Sequence, residues 1–120
     1  MGTRVLVADD SSTMRKIILR SLQAVGVTET TEAADGSEAV STFKPGLFDL
    51  VLTDWNMPGK SGLEVIKEIR GQDAKIPIIM VTTEAEKCRV MQAIEAGVSD
   101  YLVKPFTAET LREKLQKHGC

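Results

Sequence analysis

Short apolar runs that alternate with helix-forming segments place the strongest constraint on how this chain can fold. Each run is continuously apolar instead of alternating with polar residues, which is typical of strands buried on both faces of a parallel sheet. Four runs end directly before a polar or charged side chain. The regular order of strand and helix predicts one α/β domain over residues 1–120, a doubly wound sheet of five parallel strands with five helices and right-handed crossovers.

The boundaries of these elements are set by turn and capping residues. We predict strands at residues 4–8, 28–34, 50–53, 78–81 and 101–103. Ser61 with Glu64, and Thr83 with Glu86, have the spacing of capping boxes that begin the third and fourth helices. The other helices are predicted over residues 13–25, 37–43 and from 107 onward. In the first helix, the pattern places four apolar residues on the inner side: Ile17, Ile18, Leu22 and Val25.

Size and composition exclude several classes of protein. The 120 residues are enough for one domain with a real core, and a net charge of −2 gives no broad positive field for nucleic acid. No apolar stretch is long enough to insert in a membrane, and no signal pattern opens the chain. The two cysteines lack metal-ligand spacing. These features predict a cytoplasmic protein with reduced thiols that does not bind nucleic acid.

The residues that follow the strands are chemically complementary. Asp9 and Asp10 follow the first strand, Asp54 the third, Thr82 the fourth and Lys104 the fifth. The carboxyl ends of parallel strands meet at one edge of the sheet, so these side chains are expected to converge. Three carboxylates in one crevice repel each other unless a cation is present, and oxygen ligands of this kind suit Mg2+.

The same residues suit phosphoryl transfer. A carboxylate can attack phosphorus to give an aspartyl phosphate, and Asp54 is the candidate nucleophile. Catalysis of such a transfer consists mainly of positioning and charge neutralisation. Mg2+ and the Lys104 ammonium would supply charge, while the Thr82 hydroxyl would supply a hydrogen bond.

The sequence resembles the receiver domain of bacterial response regulators over nearly its whole length. The resemblance is carried by the acidic pair, Asp54, Thr82 and Lys104-Pro105, and the segments around them are most similar to receivers that act in chemotaxis. It implies a flavodoxin-like fold with strand order 2-1-3-4-5 and no output domain. It also implies that Asp54 accepts a phosphoryl group from the phosphohistidine of a sensor histidine kinase, without turnover of an external substrate.

The resemblance assigns further roles by position. Asp10 and Asp54 would bind Mg2+ directly, Asp9 would act largely through water, and the backbone carbonyl of Asn56 would be another ligand. Asn56 and Glu84 would tune the lifetime of the phosphoryl group.

A conformational response is implied as well. Thr82 would move toward the phosphoryl group and Tyr101 would change rotamer, altering a partner face that includes Val90, Tyr101 and Lys114. The expected partners are the kinase, the flagellar motor switch protein and a phosphatase, and the chain is expected to be a monomer. On composition alone, Tyr101 would be a core residue and Lys114 a solvated one.

Other functions remain open at this stage. The chain could be a phosphorelay shuttle or a receiver cut from a longer transcriptional regulator. A phosphatase or mutase with an aspartyl nucleophile usually has a second acid two residues later, where this chain has Asn56. A flavin-binding module of the same fold is disfavoured, because Asp9 and Asp10 would repel the flavin phosphate. We also expect Trp55 to be a partly exposed reporter of metal binding and His118 to interact with the end of the last helix.

Overall fold

The computed structural model describes residues 3–55, 57–83, 89–104 and 106–119. Five parallel strands form one sheet in the order β2-β1-β3-β4-β5, which confirms the predicted flavodoxin-like order. The strands are β1 (Arg4–Ala8), β2 (Glu29–Ala33), β3 (Leu50–Asp54), β4 (Ile78–Thr83) and β5 (Asp100–Lys104). In the register of the sheet, Asp54 lies beside Val81, and Thr83 lies beside Lys104. Strand β3 therefore ends two residues earlier along the sheet than β4 and β5, and all three strands end at the same edge of the sheet.

The helices connect the strands in the expected alternation. They are α1 (Ser12–Ala24), α2 (Gly36–Thr42), α3 (Gly62–Gln72), α4 (Val90–Ala96) and α5 (Ala108–Lys117). Ser61 and Glu64 form the predicted capping box at the start of α3. Gly97 ends α4 with φ of 112°, a left-handed conformation that favours glycine. The second predicted capping box depends on Glu86, which lies outside the described residues.

Two hydrophobic cores cover the two faces of the sheet. Helices α1 and α5 pack over one face through Ile18, Leu22, Leu111 and Leu115. Helices α2, α3 and α4 cover the other face, where Ile66 and Ile69 of α3 are fully buried. Successive strand residues alternate between these cores, as the pleat requires: Val5, Leu52 and Val81 face α1 and α5, whereas Leu6, Val51 and Met80 face α2 to α4.

One expectation about the core is wrong. The apolar pattern predicts Ile17 on the inner side of α1, but 45% of it is exposed. Ile18 and Leu22, which lie one turn apart, are the buried residues of this helix, and Met14, Leu19 and Val25 pack partly buried against the same core. Within the described segments, no helix is long and apolar enough to cross a membrane.

Candidate functional site

The acidic pair lies where β1 ends. Asp9 is buried, and its backbone N–H donates to the carbonyl of Ala33 in the neighbouring strand β2. Its Oδ1 accepts a hydrogen bond from the N–H of Ser11 at 2.9 Å, and Ser11 in turn caps α1. Asp10 is exposed. The turn from strand to helix therefore fixes one carboxylate in the sheet edge and leaves the next at the surface of the crevice.

Asp54 and Lys104 meet as predicted. Asp54 Oδ1 accepts the N–H of Trp55 at 2.8 Å and the Lys104 ammonium at 3.3 Å. The same ammonium lies 3.5 Å from Asp9 Oδ2. Lys104 thus bridges two buried carboxylates that come from strands on either side of the crevice, and neither contact is short.

The environment of Asp54 disfavours its charge. Burial is the main cause that raises its pKa above the usual range; Lys104 lowers the pKa, and the charge of Asp9 raises it further. One lysine at 3.3 Å does not offset both effects, so the carboxylate is ionised at a cost. A second cation in the crevice would remove that cost.

The acidic residues fit a divalent metal. Among the described residues, Asp9, Asp10 and Asp54 each offer a carboxylate oxygen, and these oxygens all lie within 4.8 Å of one another. Hard oxygen donors in small number, open to water on the Asp10 side, match the preference of Mg2+ for a site completed by water and phosphate oxygens. The residues present therefore fit the predicted ion.

The start of α3 holds the Asp54 backbone in place. The N–H of Gly62 donates to the Trp55 carbonyl at 2.8 Å. A Cβ on Gly62 would lie 2.2 Å from the Asp54 carbonyl oxygen, so only glycine allows this close approach. The start of α3 is consequently packed tightly against the strand end that carries Asp54.

Thr82 takes a different position from the charged residues. It is buried at the end of β4, and its hydroxyl donates to the Thr83 carbonyl at 3.4 Å. The pleat places it on the same face as Met80, over which α2 to α4 pack, whereas Asp9, Asp54 and Lys104 continue the rows that face α1 and α5. Tyr101, which is half-buried, packs on the Thr82 side. The two predicted switch residues therefore share one face of the sheet.

The predicted partner face contains a cluster that the sequence analysis missed. Asp100, at the start of β5, accepts hydrogen bonds from Lys114 at 2.9 Å and from His118 at 3.0 Å, and Lys117 lies 3.5 Å away. Burial alone would raise the pKa of Asp100, but the bonds from Lys114 and His118 outweigh it and hold the pKa at about 2. Lys114 also lies 5.2 Å from the centre of the Tyr101 ring.

This arrangement places the partner-face residues and corrects the role given to His118. Tyr101 and Lys114 touch and line one groove of about 270 Å³ between β5 and α5. Val90 is half-buried at the start of α4. His118 follows α5, as expected, but its ring is held by the carboxylate of Asp100. The sequence signal that could have predicted this cluster is the spacing of Lys114 and His118, four residues apart at the end of a helix. Asp100, an acid at the start of an apolar strand, is the other part of that signal.

Trp55 is buried, with 7% exposed, so the expectation of a partly exposed side chain is wrong. Its ring packs in the core beneath α3, and the Arg89 guanidinium lies 5.5 Å from the ring centre. Its backbone N–H donates to Asp54, and the expectation that it reports metal binding stays a prediction. Asn56, Glu84 and Pro105 lie outside the described residues, so their predicted roles stay predictions.

Comparison with known proteins agrees with this geometry. The family model described as response regulator receiver domain matches residues 5–116. The chain is a response regulator receiver domain. It is 47% identical to chemotaxis protein CheY-3 of Vibrio cholerae over 95% of this chain and 89% of that protein. It is 44% identical to chemotaxis protein CheY of Pseudomonas aeruginosa, over 95% and 94% respectively.

One solved structure similar to this receiver domain contains a magnesium ion. The receiver domain of a sensor histidine kinase from Pseudomonas aeruginosa, determined with a magnesium ion coordinated in its active-site cleft, superimposes with a TM-score of 0.88. The two are 31% identical, and the match covers all of both chains. The receiver domain described here therefore belongs to two-component signalling and has relatives that act in chemotaxis.

Proposed function

We propose that this chain is a phosphorylation-dependent switch in which Asp54 accepts a phosphoryl group and thereby changes the affinity of the chain for a target protein. The observation that carries the proposal is the contact of Lys104 with both Asp54 and Asp9 in a crevice with excess negative charge. A crevice of this kind is ready to receive a cation and a phosphoryl group together.

The acceptor step follows from the contacts of Asp54. Trp55 and Lys104 both bind Oδ1, so Oδ2 has no hydrogen-bond partner among the described residues. Oδ2 attacks the phosphorus of a phosphohistidine on a sensor histidine kinase, and the P–N bond breaks with its electron pair returning to the imidazole. Lys104 is positioned to bind a phosphoryl oxygen, because its ammonium already lies beside the nucleophile.

Mg2+ is the proposed cofactor, held by Asp9, Asp10 and Asp54 with the backbone carbonyl of Asn56. When bound, it would neutralise the carboxylates and the charge that develops on the phosphoryl oxygens. Asp54 would then be ionised without the cost that burial imposes. Asn56 and Glu84 keep their proposed role in setting the lifetime of the phosphoryl group, and the chain turns over no external substrate.

The response is proposed to occur on the opposite face of the sheet. Thr82 would exchange its bond to the Thr83 carbonyl for one to the phosphoryl group, and this movement would free space on the face of the sheet where Tyr101 packs. A changed Tyr101 rotamer alters the groove that it lines together with Lys114. The target proposed is the flagellar motor switch protein, supported by the chemotaxis relatives and by exposed Met91 and Ile94 on α4. The chain would act as a cytoplasmic monomer, reset with the help of a phosphatase.

The test is phosphoryl uptake from acetyl phosphate, measured by intact-protein mass spectrometry with and without Mg2+. The wild-type chain should gain one phosphoryl group only with Mg2+, and Asp54→Asn should gain none. Asp49→Asn is a matched control, since Asp49 precedes the same strand at its far end and pairs with Arg4. Normal uptake by Asp54→Asn would exclude the proposed acceptor.

The target is tested separately. Immobilised flagellar motor switch protein should retain the chain more strongly with acetyl phosphate and Mg2+ than without, and the gain should be absent from Asp54→Asn. Equal retention in both conditions would leave the acceptor chemistry intact but exclude this target.

A phosphorelay shuttle is the second candidate. It is favoured by the match to a receiver of a sensor histidine kinase over the full length of both chains. Rapid transfer of the phosphoryl group from Asp54 to the histidine of a phosphotransfer protein, faster than its hydrolysis, would distinguish a shuttle from a switch that acts on a motor.

A further inference from the structure

Arg15 of α1 reaches back to the end of β1 and is held there by two acceptors. Its Nη1 donates to the backbone carbonyl of Asp9 at 2.6 Å, and its Nε donates to Glu32 of β2 at 3.0 Å. Only 16% of the Arg15 side chain is exposed, compared with 49% for Glu32. A planar guanidinium bound at two edges has little freedom, so the carbonyl it contacts is fixed as well.

The peptide that Arg15 binds is the one that connects the two acids. The Asp9 carbonyl lies in one plane with the N–H and Cα of Asp10. Whatever fixes the direction of this carbonyl therefore fixes the direction in which Asp10 leaves the strand. Asp10 needs such support, because its exposed carboxylate has no hydrogen-bond or ion-pair partner in the part of the chain that the structure describes.

We propose that Arg15, anchored by Glu32, is a positioning residue for the cation site: it orients the Asp9–Asp10 peptide so that the Asp10 carboxylate faces Asp54. The inference rests on the Mg2+ site of the proposed function and adds a residue that does not contact the ion. Mg2+ requires nearly regular octahedral geometry, whereas Ca2+ accepts irregular ligand sets. A loosened Asp10 should thus weaken the binding of Mg2+ more than that of Ca2+.

The competing explanation is charge alone. The Arg15 guanidinium contacts the carbonyl of Asp9, and a positive charge this close to the acidic site reduces the repulsion among its carboxylates and at the same time opposes the binding of a cation. If charge were its only effect, Arg15→Lys would bind Mg2+ as the wild-type chain does, and Arg15→Met would bind it more tightly. Positioning predicts that both variants bind Mg2+ more weakly, because neither can bridge Asp9 and Glu32 as a fork.

The experiment is a titration of the purified chain with Mg2+ and separately with Ca2+, followed by Trp55 fluorescence and confirmed by calorimetry. Loss of a group that orients a metal ligand typically weakens binding about tenfold or more, and we expect about tenfold weaker Mg2+ binding for Arg15→Lys and Arg15→Met. The ratio of the Mg2+ to the Ca2+ dissociation constant should rise. Arg20→Lys and Arg20→Met are matched controls on the exposed surface of the same helix, and they should bind both ions as the wild-type chain does.

Thermal unfolding in EDTA separates a role in the site from a role in the fold. A purely structural role would lower the melting temperature of Arg15→Lys and leave its ion affinities unchanged, which would overturn the inference. Unchanged Mg2+ affinity of Arg15→Lys, or tighter binding by Arg15→Met, would also overturn it. If the wild-type chain bound no Mg2+, the proposed function itself would fail, a result distinct from wild-type-like binding by the variants.

Discussion

Asp54 and Asp100 occupy similar surroundings with opposite electrostatic results. Both are nearly buried, with 8% and 9% exposed, and both have a lysine beside them. Each is followed by an aromatic residue whose ring has a cation near its face. Yet the pKa of Asp54 is raised, while that of Asp100 is lowered to about 2.

The difference lies in the number and length of the contacts. Asp100 accepts from the Tyr101 N–H, Lys114 and His118, all at 3.0 Å or less. Asp54 has one short contact, with Trp55, and a longer one with Lys104, which it shares with a second buried acid. A carboxylate saturated with donors stabilises the fold, whereas one left short of positive charge is available for a ligand.

The largest effect should come from Asp100→Asn. We expect this variant to lose about 2 kcal/mol of unfolding free energy at pH 7, because the bonds that the charged carboxylate accepts from Lys114 and His118 weaken and the Lys114 and Lys117 ammonium groups lose the negative charge beside them. Urea denaturation measures the loss. Glu113→Gln, the same change on the exposed side of α5, is the matched control and should be neutral. An equally stable Asp100→Asn would remove the contrast between the two aspartates.

The difference in unfolding free energy between the wild-type chain and Asp100→Asn should also depend on pH, and this effect is smaller. A lowered pKa in the folded state stabilises the chain above the unfolded value of 3.8, and this contribution is lost as the pH falls toward 2. The advantage of the wild-type chain over Asp100→Asn should therefore fall to about half near pH 3. Urea titrations of both proteins between pH 2 and pH 7 test this; an advantage independent of pH would contradict it.

Asp54→Asn should change stability in the opposite direction. In EDTA at pH 7 we expect a gain of about 1 kcal/mol, because a buried charge with incomplete partners is replaced by a neutral group of the same shape. A raised pKa in the folded state makes the wild-type chain relatively less stable as pH rises through that pKa, so the gain should vanish below pH 3.8. Added Mg2+ should shrink the gain by stabilising the wild-type chain. A loss of stability in EDTA would show that Lys104 already satisfies Asp54.

The smallest effect concerns the cations over the two rings. Arg89→Met should cost about 0.5 kcal/mol, the usual value for an exposed cation–π contact. Lys114→Met should cost more, because Lys114 contacts both the Tyr101 ring and Asp100. Urea denaturation compares the two variants, and equal losses would mean that the ring contacts dominate in both regions.

The sequence predicted the acidic site better than the Asp100 cluster, for a physical reason. Asp9, Asp54 and Lys104 each follow an apolar strand, and parallel strands bring their ends together whatever the helices do. The contact between Asp100 and α5 depends on how that helix is rotated on the sheet, which local patterns do not determine.

The other differences between the predicted and the observed structure also depend on how the strands and helices pack together. The strand order came from the family resemblance, since alternation of strands and helices is compatible with several orders. Burial of Trp55 and exposure of Ile17 depend on which neighbours compete for space beside the sheet. Thr82 lies on the opposite face of the sheet from Asp54 because successive side chains of a strand alternate between the two faces. The sequence predicts this placement once Asp54 is known to pair with Val81.

The pleat of the sheet also separates Asp54, the proposed phosphoryl acceptor, from the two predicted switch residues. Asp54 and Lys104 continue the rows of residues on one face of the sheet, and Thr82 and Tyr101 continue those on the other. Under the proposed function, substitutions on the face that carries Thr82 and Tyr101 can change which target protein the chain recognises. Asp54 and Lys104 on the other face can stay unchanged. Such modularity would allow the one proposed phosphorylation reaction to control many different target proteins.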